Sequence, residues 1–375
     1  MSARAATARA GPMTLEHPAP RLSIGVLSYG LPVVGVKRGG IERVAHDLAD
    51  GLAARGHRVI VFSHDERPAN AKYEVRPLPW RRFVNTWIGR RVTMGYFGNV
   101  LMALPDFSGL DVLMAHGDSL LLPLRRTPFV RIVHGSAWEE ARSATSIGRF
   151  LLQTGVFAQE LASAATHRAS VGVSENTRRS NPFVRVVVPN GVNRAVFGPD
   201  PMERASHPMV LSVGAMSGRK RGAWLLDRFE TEIAPRIPGA QLHFVSAPGP
   251  DRPNVTYHQG VSDAELARLY RKAWVYASPS TYEGFGLPYV EAMACGTPVV
   301  ATPNAGSCEV LAGGSGIVAS DEDFAATVVA LLTNPARRSA LTRLGLERAA
   351  TYDMERVLDA YERLLIDLVA NTGTN

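Results

Sequence analysis

Two acidic residues, Glu283 and Glu291, flank a glycine-punctuated stretch with seven residues between them. An apolar run precedes this stretch, Gly284 and Gly286 interrupt it, and Pro288 stands where the first turn of a helix tolerates proline. A strand, a glycine loop and a helix start in this order leave backbone N–H groups unpaired at the positive end of the helix dipole. Such a site suits a diphosphate or a cluster of sugar hydroxyls, because a carboxylate can also accept two hydrogen bonds from a vicinal diol.

Two other groups of candidate residues follow apolar runs elsewhere in the chain: His134 and the pair Gly39-Gly40. Each has a structural alternative, because a histidine at a strand end is commonly a buried structural residue and two glycines can form a plain turn. Without their glycine setting, the two acids above would also be ordinary surface residues. His116 follows another apolar run and is interpreted as structural or as facing an acceptor.

The sequence predicts no metal centre. The acidic stretch 321–323 has the spacing of carboxylate ligands, but it follows Ser320 at a predicted helix start, where acids complement the helix dipole. The two cysteines of the chain are too few for a disulfide framework or a multi-cysteine metal site. We therefore expect neither a metal nor a cofactor.

Apolar runs alternate with helical periodicity along the chain. Ile41, Val44, Leu48 and Leu52 recur at helical spacing, and Gly56 ends that helix. Such alternation predicts parallel sheets, and 375 residues exceed the roughly 250–300 that a single core supports. We expect two Rossmann-like, doubly wound α/β domains, with strands within 22–27, 57–63, 111–116, 129–135, 169–174 and 184–189 of the first and within 209–214, 241–246, 274–278, 297–301 and 316–319 of the second.

Domain boundaries are predicted where this alternation stops. We expect a disordered tail at 1–20, an N-terminal domain at 21–192 and a polar, proline-bearing linker at 193–208. The second domain should cover 209–352, and a C-terminal helix at 353–375 should pack back toward the first domain.

The sequence Glu-Gly-Phe-Gly at 283–286, with Glu-Ala-Met-Ala-Cys-Gly-Thr-Pro-Val-Val at 291–300, resembles the retaining glycosyltransferases of family 4, which have the GT-B fold. Several motifs match in the order in which they occur in the family, which makes this resemblance more specific than a match to a single motif. The resemblance implies two domains that face each other across a cleft, the first binding the acceptor and the second the nucleotide sugar. Other matching pieces, in the family's order, are Gly39-Gly40-Ile41-Glu42, His134-Gly135, Val173-Ser174-Glu175, Pro189-Asn190-Gly191-Val192, Val213-Gly214 with Lys220 further on, and Pro298-Val299-Val300.

The resemblance also implies a role for each candidate. Glu291 would hold the ribose hydroxyls of the donor, Glu283 would hold the donor sugar, and His134 would lie near the transferred sugar on the opposite wall. Lys220 would balance the charge that builds on the departing diphosphate. The implied catalytic residues are His134, Lys220 and Glu283, and the implied donor-binding residues are Gly39, Gly40, Arg219, Lys220, Gly284, Phe285, Gly286, Leu287 and Glu291.

In this family the anomeric configuration is kept through front-face attack assisted by the leaving phosphate, so no enzyme nucleophile is required. The implied function is that of a hexosyltransferase, which moves a hexose-type sugar from a UDP- or GDP-sugar to an acceptor in glycan, glycolipid or glycoconjugate biosynthesis. One residue departs from the pattern: Ala215 stands where the family commonly has an arginine, and Arg219 is the candidate replacement.

Two other classes of function stay open. A non-catalytic nucleotide-sugar-binding protein of the same fold is compatible with Ala215. A nicotinamide-dependent dehydrogenase on Rossmann domains would need Gly-x-Gly-x-x-Gly after a strand and an acid about 20 residues later, and neither half of the sequence has this pattern.

The charge of the chain, +7 overall, is unevenly distributed. Residues 21–192 contain 22 Lys and Arg against 13 Asp and Glu, which indicates an anionic partner for that half. The stretch 80–97 combines arginines with aromatic residues, which is compatible with a solvated, partly core-packed helix and loop and also with a contact with anionic membrane or an anionic acceptor. No apolar run approaches the length of a membrane span and no nucleic-acid-binding module accompanies the charge, so we expect a cytoplasmic protein, at most peripheral to the inner face of a membrane.

Overall fold

The computed structural model describes residues 20–32, 40–84, 86, 98–117, 119–142, 146–165 and 169–372. Within these ranges the chain forms two sheets, of seven and six strands, and every pair of neighbouring strands is parallel. The predicted α/β class, with two Rossmann-like parallel-sheet domains, is confirmed.

The first sheet has the strand order β3-β2-β1-β4-β5-β6-β7. Its strands are β1 (Ser23–Leu27), β2 (Arg58–Ser63), β3 (Glu74–Pro77), β4 (Val112–Ala115), β5 (Phe129–Val133), β6 (Ser170–Gly172) and β7 (Val186–Val187). The helices that accompany it are α1 (Gly40–Ala54), α2 (Arg81–Val84), α3 (Gly98–Ala103), α4 (Ala137–Arg142), α5 (Ile147–Ala165) and α6 (Glu175–Ser180).

The second sheet has the order β10-β9-β8-β11-β12-β13. Its strands are β8 (Met209–Val213), β9 (Gln241–Val245), β10 (Val255–His258), β11 (Val275–Ser278), β12 (Val299–Ala301) and β13 (Ile317–Val318). Its helices are α7 (Gly222–Arg228), α8 (Asp263–Lys272), α9 (Leu287–Ala294), α10 (Ala305–Val310), α11 (Phe324–Thr333) and α12 (Pro335–Ala350), and the chain ends in α13 (Met354–Thr372).

Each of the eleven apolar runs contains a strand, and the central strands are buried on both faces and therefore read as continuous apolar sequence. The strands β3 and β10 were not predicted from the sequence. Both are edge strands with half-buried or exposed residues, and unlike the edge strands β7 and β13 they do not lie in an apolar run.

The strand order places the candidate residues at the point where each sheet reverses direction. In the second sheet β8 and β11 are neighbours, while the chain runs outward on opposite sides of them; Lys220 follows β8 and Glu283 follows β11. In the first sheet β1 and β4 have the same relation, and β5, which precedes His134, lies next to β4. Ligands of doubly wound sheets bind outside the carboxyl ends of the strands at such points.

The C-terminal helix α13 lies against α1 of the first half of the chain. Arg55 forms ion pairs with Glu355 (2.6 Å), Asp359 (2.8 Å) and Glu362 (2.7 Å), and the Leu358 side chain covers Gly51. No helix in the described ranges is long and apolar enough to cross a membrane.

Candidate active site

Glu283 is a buried carboxylate held by two cations. Its Oε1 accepts a short hydrogen bond from Lys220 Nζ, and its Oε2 lies 3.2 Å from Arg219 Nη1. Arg219 also donates to the Tyr282 carbonyl over 2.6 Å. Burial alone would raise the pKa of Glu283, but the charges of Lys220 and Arg219 outweigh burial and hold this pKa below its ordinary value. The carboxylate is therefore ionised, and both of its oxygens are engaged.

The loop after Glu283 presents free backbone donors. Within the described ranges, no carbonyl or side chain accepts a hydrogen bond from the N–H groups of Gly284, Phe285 or Gly286, which precede α9. Gly286 has a φ of 98°, and a Cβ atom there would lie 2.4 Å from the Tyr289 ring, so glycine is required. Three unpaired N–H groups at a helix start provide a site for an anion.

Glu291 is already engaged by a residue from the opposite domain. Its Oε1 accepts from Arg43 Nη1 of α1 over 2.8 Å, and its Oε2 accepts from the Tyr270 hydroxyl over 3.0 Å. The residue is 2% exposed, and burial raises its pKa above the ordinary value although Arg43 opposes this shift.

Arg43 also faces two further carboxylates, Asp263 at 3.4 Å and Asp47 at 3.9 Å. Burial raises the pKa of Asp47 to about 7, although Arg43 acts in the other direction. The Arg43 guanidinium therefore forms ion pairs with three carboxylates and is the centre of a charged cluster that joins α1 to α8 and α9.

His134 lies on the wall opposite Glu283 and is paired with His116. His134 Nε2 and His116 Nδ1 are 2.9 Å apart, and the two rings are stacked. Burial lowers the pKa of His134 to about 4 and, together with the neighbouring ring, lowers the pKa of His116 well below its ordinary value. Both imidazoles are therefore neutral near pH 7, and one donates a hydrogen bond to the other. The Nε2 atom of the buried His116 has no partner within the described ranges.

The two walls touch beside this pair. A Cβ atom at Gly284 would lie 2.5 Å from the His134 carbonyl, so only glycine permits the approach. The Tyr282 hydroxyl accepts from the Ser136 N–H over 3.0 Å, and Ser174 Oγ donates to the Gly284 carbonyl over 3.1 Å.

A further contact across the walls involves the start of α6. The carboxylate of Glu309 accepts hydrogen bonds from the backbone N–H groups of Glu175 (2.9 Å) and Asn176 (3.2 Å). An acid from the second domain therefore caps a helix of the first.

The structure brings most of the predicted residues to one place: Lys220, Arg219, Glu283 and the 284–286 backbone on one wall, with His134 opposite. Gly39 lies outside the described residues, whereas Gly40 is described and begins α1. Of the stretch 80–97, residues 85 and 87–97 also lie outside them. Sequence reasoning missed Arg43, Tyr270, Tyr282 and Glu309. For Arg43 the available signal was its position directly after the Gly-Gly-Ile-Glu motif.

Two family models match the chain. The model described as Glycosyltransferase Family 4 matches residues 38–196, and the model described as Glycosyl transferases group 1 matches residues 207–334. Together they include every candidate residue named above.

Curated relatives include a D-inositol 3-phosphate glycosyltransferase of Kineococcus radiotolerans, 31% identical over 52% of this chain and 55% of that protein. The O-antigen chain mannosyltransferase B of Escherichia coli is 36% identical over 29% of this chain and 30% of its own length. The chain thus spans about half, or less, of the length of the curated relatives it matches.

Similar solved structures include a sucrose-phosphate synthase from Thermosynechococcus elongatus, with a TM-score of 0.77 and 22% identity over 94% of this chain and all of that one. Anabaena HepE in complex with UDP-glucose has a TM-score of 0.65 and 16% identity, again over 94% of this chain and all of its own. The arrangement of the two sheets is that of the GT-B fold.

Proposed function

The chain belongs to the family 4, group 1 glycosyltransferases, and we propose that it transfers a hexose-type sugar from a nucleoside diphosphate sugar to an acceptor with retention of the anomeric configuration. The observation that carries the proposal is the charged site at the switch point of the second sheet. There Lys220 and Arg219 stand beside Glu283, next to three free N–H groups.

This site can stabilise the charge of a leaving diphosphate. When a glycosidic bond to phosphate breaks, negative charge grows on the leaving group, and fixed cations and N–H dipoles lower that cost. Lys220, Arg219 and the start of α9 provide both kinds of group without a metal ion or a cofactor. Arg219 thereby provides the positive charge that is missing at Ala215, where the family commonly has an arginine.

Front-face attack is consistent with Glu283 being an ionised carboxylate with both oxygens in ion pairs. A carboxylate that acts as a covalent nucleophile needs a free oxygen directed at the anomeric carbon. Both oxygens of Glu283 are paired with cations, which lowers their nucleophilicity. Each oxygen keeps a second lone pair that can accept a hydrogen bond from a sugar hydroxyl. His134, neutral near pH 7, can then exchange hydrogen bonds with the sugar from the opposite wall.

Glu291 is proposed to bind the ribose diol, and this requires Arg43 to move. Arg43 and Tyr270 donate hydrogen bonds to the two oxygens that a diol would use. A nucleotide therefore competes with an ion pair inside the protein. HepE, a protein of the same fold, has been solved with UDP-glucose, so UDP is the first nucleotide to examine. The proposal also includes the transfer to an acceptor, a membrane contact through residues 80–97 and a cytoplasmic location at the inner face of a membrane.

The experiment is a thermal-shift comparison of UDP, GDP, ADP and TDP, followed by donor turnover with the sugar form of the best ligand. A nucleotide at 100 times its dissociation constant stabilises the folded state by about 2.7 kcal/mol, enough to rank the four. Sugar release or transfer above the rate without protein supports the enzyme. Binding without turnover would favour the non-catalytic alternative, and binding of none would reject the nucleotide site.

A further inference from the structure

An open cavity of about 250 Å³ lies at the amino edge of the second sheet. It is lined by Trp274 and Pro298, which directly precede β11 and β12, and by the side chains of two arginines, Arg204 and Arg338. Glu283 follows β11 at the opposite, carboxyl edge, so the cavity is separate from the candidate active site. Pockets for larger organic ligands occupy roughly 300–1,000 Å³, and a cavity of this volume therefore suits a small ligand.

The two arginines of the cavity have no acidic partner. In the part of the chain that the structure describes, neither Arg204 nor Arg338 forms an ion pair. Glu203, the neighbour of Arg204 in sequence, is paired with Arg271 over 2.9 Å instead. Burial and then the charge of Arg338 lower the pKa of Arg204, and burial lowers that of Arg338. Two positive charges therefore face one cavity without a counter-charge.

Neutral groups hold both guanidiniums in place. Arg204 Nη2 donates to the Gly296 carbonyl over 2.9 Å, and Arg338 Nη1 donates to two carbonyls at the end of α11 over 2.6 and 2.9 Å. The guanidinium of Arg338 also stacks on Trp274, 4.3 Å from the ring centroid. These contacts fix the position of the charges but do not neutralise them. Among the described residues no acceptor binds Nε or Nη2 of Arg338, so these N–H groups are available to a ligand.

The first turns of α12 line the same cavity. Ser339 is exposed there, and its hydroxyl can donate a hydrogen bond. Thr342 Oγ1 donates to the Gly296 carbonyl over 3.1 Å and keeps its lone pairs free to accept. The beginning of α12 also contributes the positive end of a helix dipole. The cavity therefore combines two guanidiniums, a hydroxyl donor and a favourable dipole, all of which stabilise negative charge.

We propose that this cavity binds a phosphate dianion, either free or as the phosphate group of a small monoester. A dianion balances the two guanidiniums, and the planar donor fork of arginine matches the spacing of phosphate oxygens. Arg204 belongs to the segment between β7 and β8, which connects the two sheets, whereas Arg338 belongs to α12. A phosphate bound by both arginines would hold this connection against the second sheet. The site does not depend on the proposed function.

The test is thermal unfolding of the full-length chain in chloride, in inorganic phosphate and in glycerol 3-phosphate at equal ionic strength. The test variant is Arg338→Gln, and the matched control is Arg337→Gln, which changes the exposed arginine next to it in α12. Phosphate bound at Lys220 and the start of α9 is common to all three proteins and cancels in the comparison. Phosphate should raise the midpoint of wild type and control alike, and that of the test variant at least about twofold less, because only the test variant loses binding energy in the cavity.

A second measurement uses the wild type alone and does not require the variant to fold. Phenylglyoxal labels arginines, and peptide mass spectrometry gives the labelling rate of each. Phosphate at about ten times its dissociation constant should slow the labelling of Arg204 and Arg338 roughly tenfold and leave that of Arg337 unchanged. A larger effect of glycerol 3-phosphate than of inorganic phosphate in either assay would identify the monoester as the ligand, and the reverse would identify free phosphate. Equal rises of the midpoint in all three proteins, or no selective protection of Arg204 and Arg338, would overturn the proposal.

Discussion

Glu283 and Glu291 are both buried, but their surroundings differ enough to separate their effects on binding and turnover. Glu283 is ionised between Lys220 and Arg219, whereas Glu291 accepts from Arg43 and Tyr270 at the place proposed for the ribose. We predict that Glu291→Ala weakens nucleotide binding, while Glu283→Gln mainly lowers turnover, by about 100-fold or more if it orients the reacting sugar. Calorimetry and initial rates measure the two effects. The exposed acid Glu322, changed to Gln, serves as the control. Unchanged nucleotide affinity in the Glu291 variant would remove this residue from the ribose site.

The His116–His134 pair makes stability depend on pH in a defined direction. Both histidines have pKa values below the ordinary 6.5 in the folded protein, that of His134 at about 4. The unfolded chain therefore takes up these protons first, and the stabilisation present above pH 6.5 is lost as the pH falls toward 4.

We predict that His116→Asn, which retains an amide near the position of Nδ1, reduces this loss. At pH 7 the variant should be less stable by about 1–2 kcal/mol because packing is lost, and the deficit should shrink toward pH 4.5. Denaturant unfolding at several pH values measures this difference, and NMR titration of the wild type should find both rings neutral at pH 6. A deficit that is constant with pH would contradict the lowered pKa of His116.

At the scale of elements, the sequence predicts what local patterns determine. The loop from Glu283 to the start of α9 could be found because its glycines, proline and acids are neighbours in sequence. The partners of Glu291 could not be found in this way, since Arg43 is 248 residues distant along the chain. The edge strands β3 and β10 were missed for a different reason, because half-buried edge positions do not require an apolar run.

The contact between α1 and α9 leads to a prediction about Arg43. Without its guanidinium, the buried Glu291 and the neighbouring Asp47 lose the charge that opposes the effect of burial on their pKa values. An acid whose pKa is raised by folding is tolerated at low pH and destabilises the fold as the pH rises. We therefore expect Arg43→Met to lower the free energy of unfolding by about 2–4 kcal/mol at pH 8 and by less at pH 5.

The matched control for Arg43 is Arg343→Met, which breaks an exposed ion pair with Glu347 on α12 and should change stability by less than about 0.5 kcal/mol. Adding Glu291→Gln to Arg43→Met should restore part of the loss at pH 8, because Glu291 then leaves no unpaired charge buried in the absence of Arg43. A double variant no more stable than the single one would mean that Arg43 acts through packing alone.

At the scale of the whole molecule, each sheet contributes one wall of the cleft, and the two walls carry different chemical groups. The second sheet holds the cations, together with backbone N–H groups that have no partner among the described residues and suit a diphosphate, and the first holds the neutral histidine pair. The walls touch at Gly135, Tyr282 and Gly284, so a donor between them is enclosed by both domains. This division between the two walls could be predicted only from the family resemblance, because no local sequence pattern indicates which surfaces are in contact.

The enclosed arrangement leads to a prediction about the product. A diphosphate bound at Lys220 and the start of α9 leaves the sugar beside His134, and both oxygens of Glu283 are occupied by cations. Among the described residues, Glu283 is the acid beside this position, and the pairing of both its oxygens favours an acceptor that approaches from the side of the departing phosphate and passes its proton to that phosphate. We therefore predict that the product keeps the anomeric configuration of the donor.

We also predict that turnover survives EDTA, because Lys220 and the start of α9 stabilise the diphosphate charge that a divalent cation stabilises in other enzymes. Proton NMR of the anomeric signal, recorded during turnover with and without EDTA, measures both. Lys220→Met should lower turnover about 100-fold or more in the same assay. An inverted product would reject front-face attack, and loss of activity in EDTA would reject the assignment of the phosphate charge to Lys220 and α9.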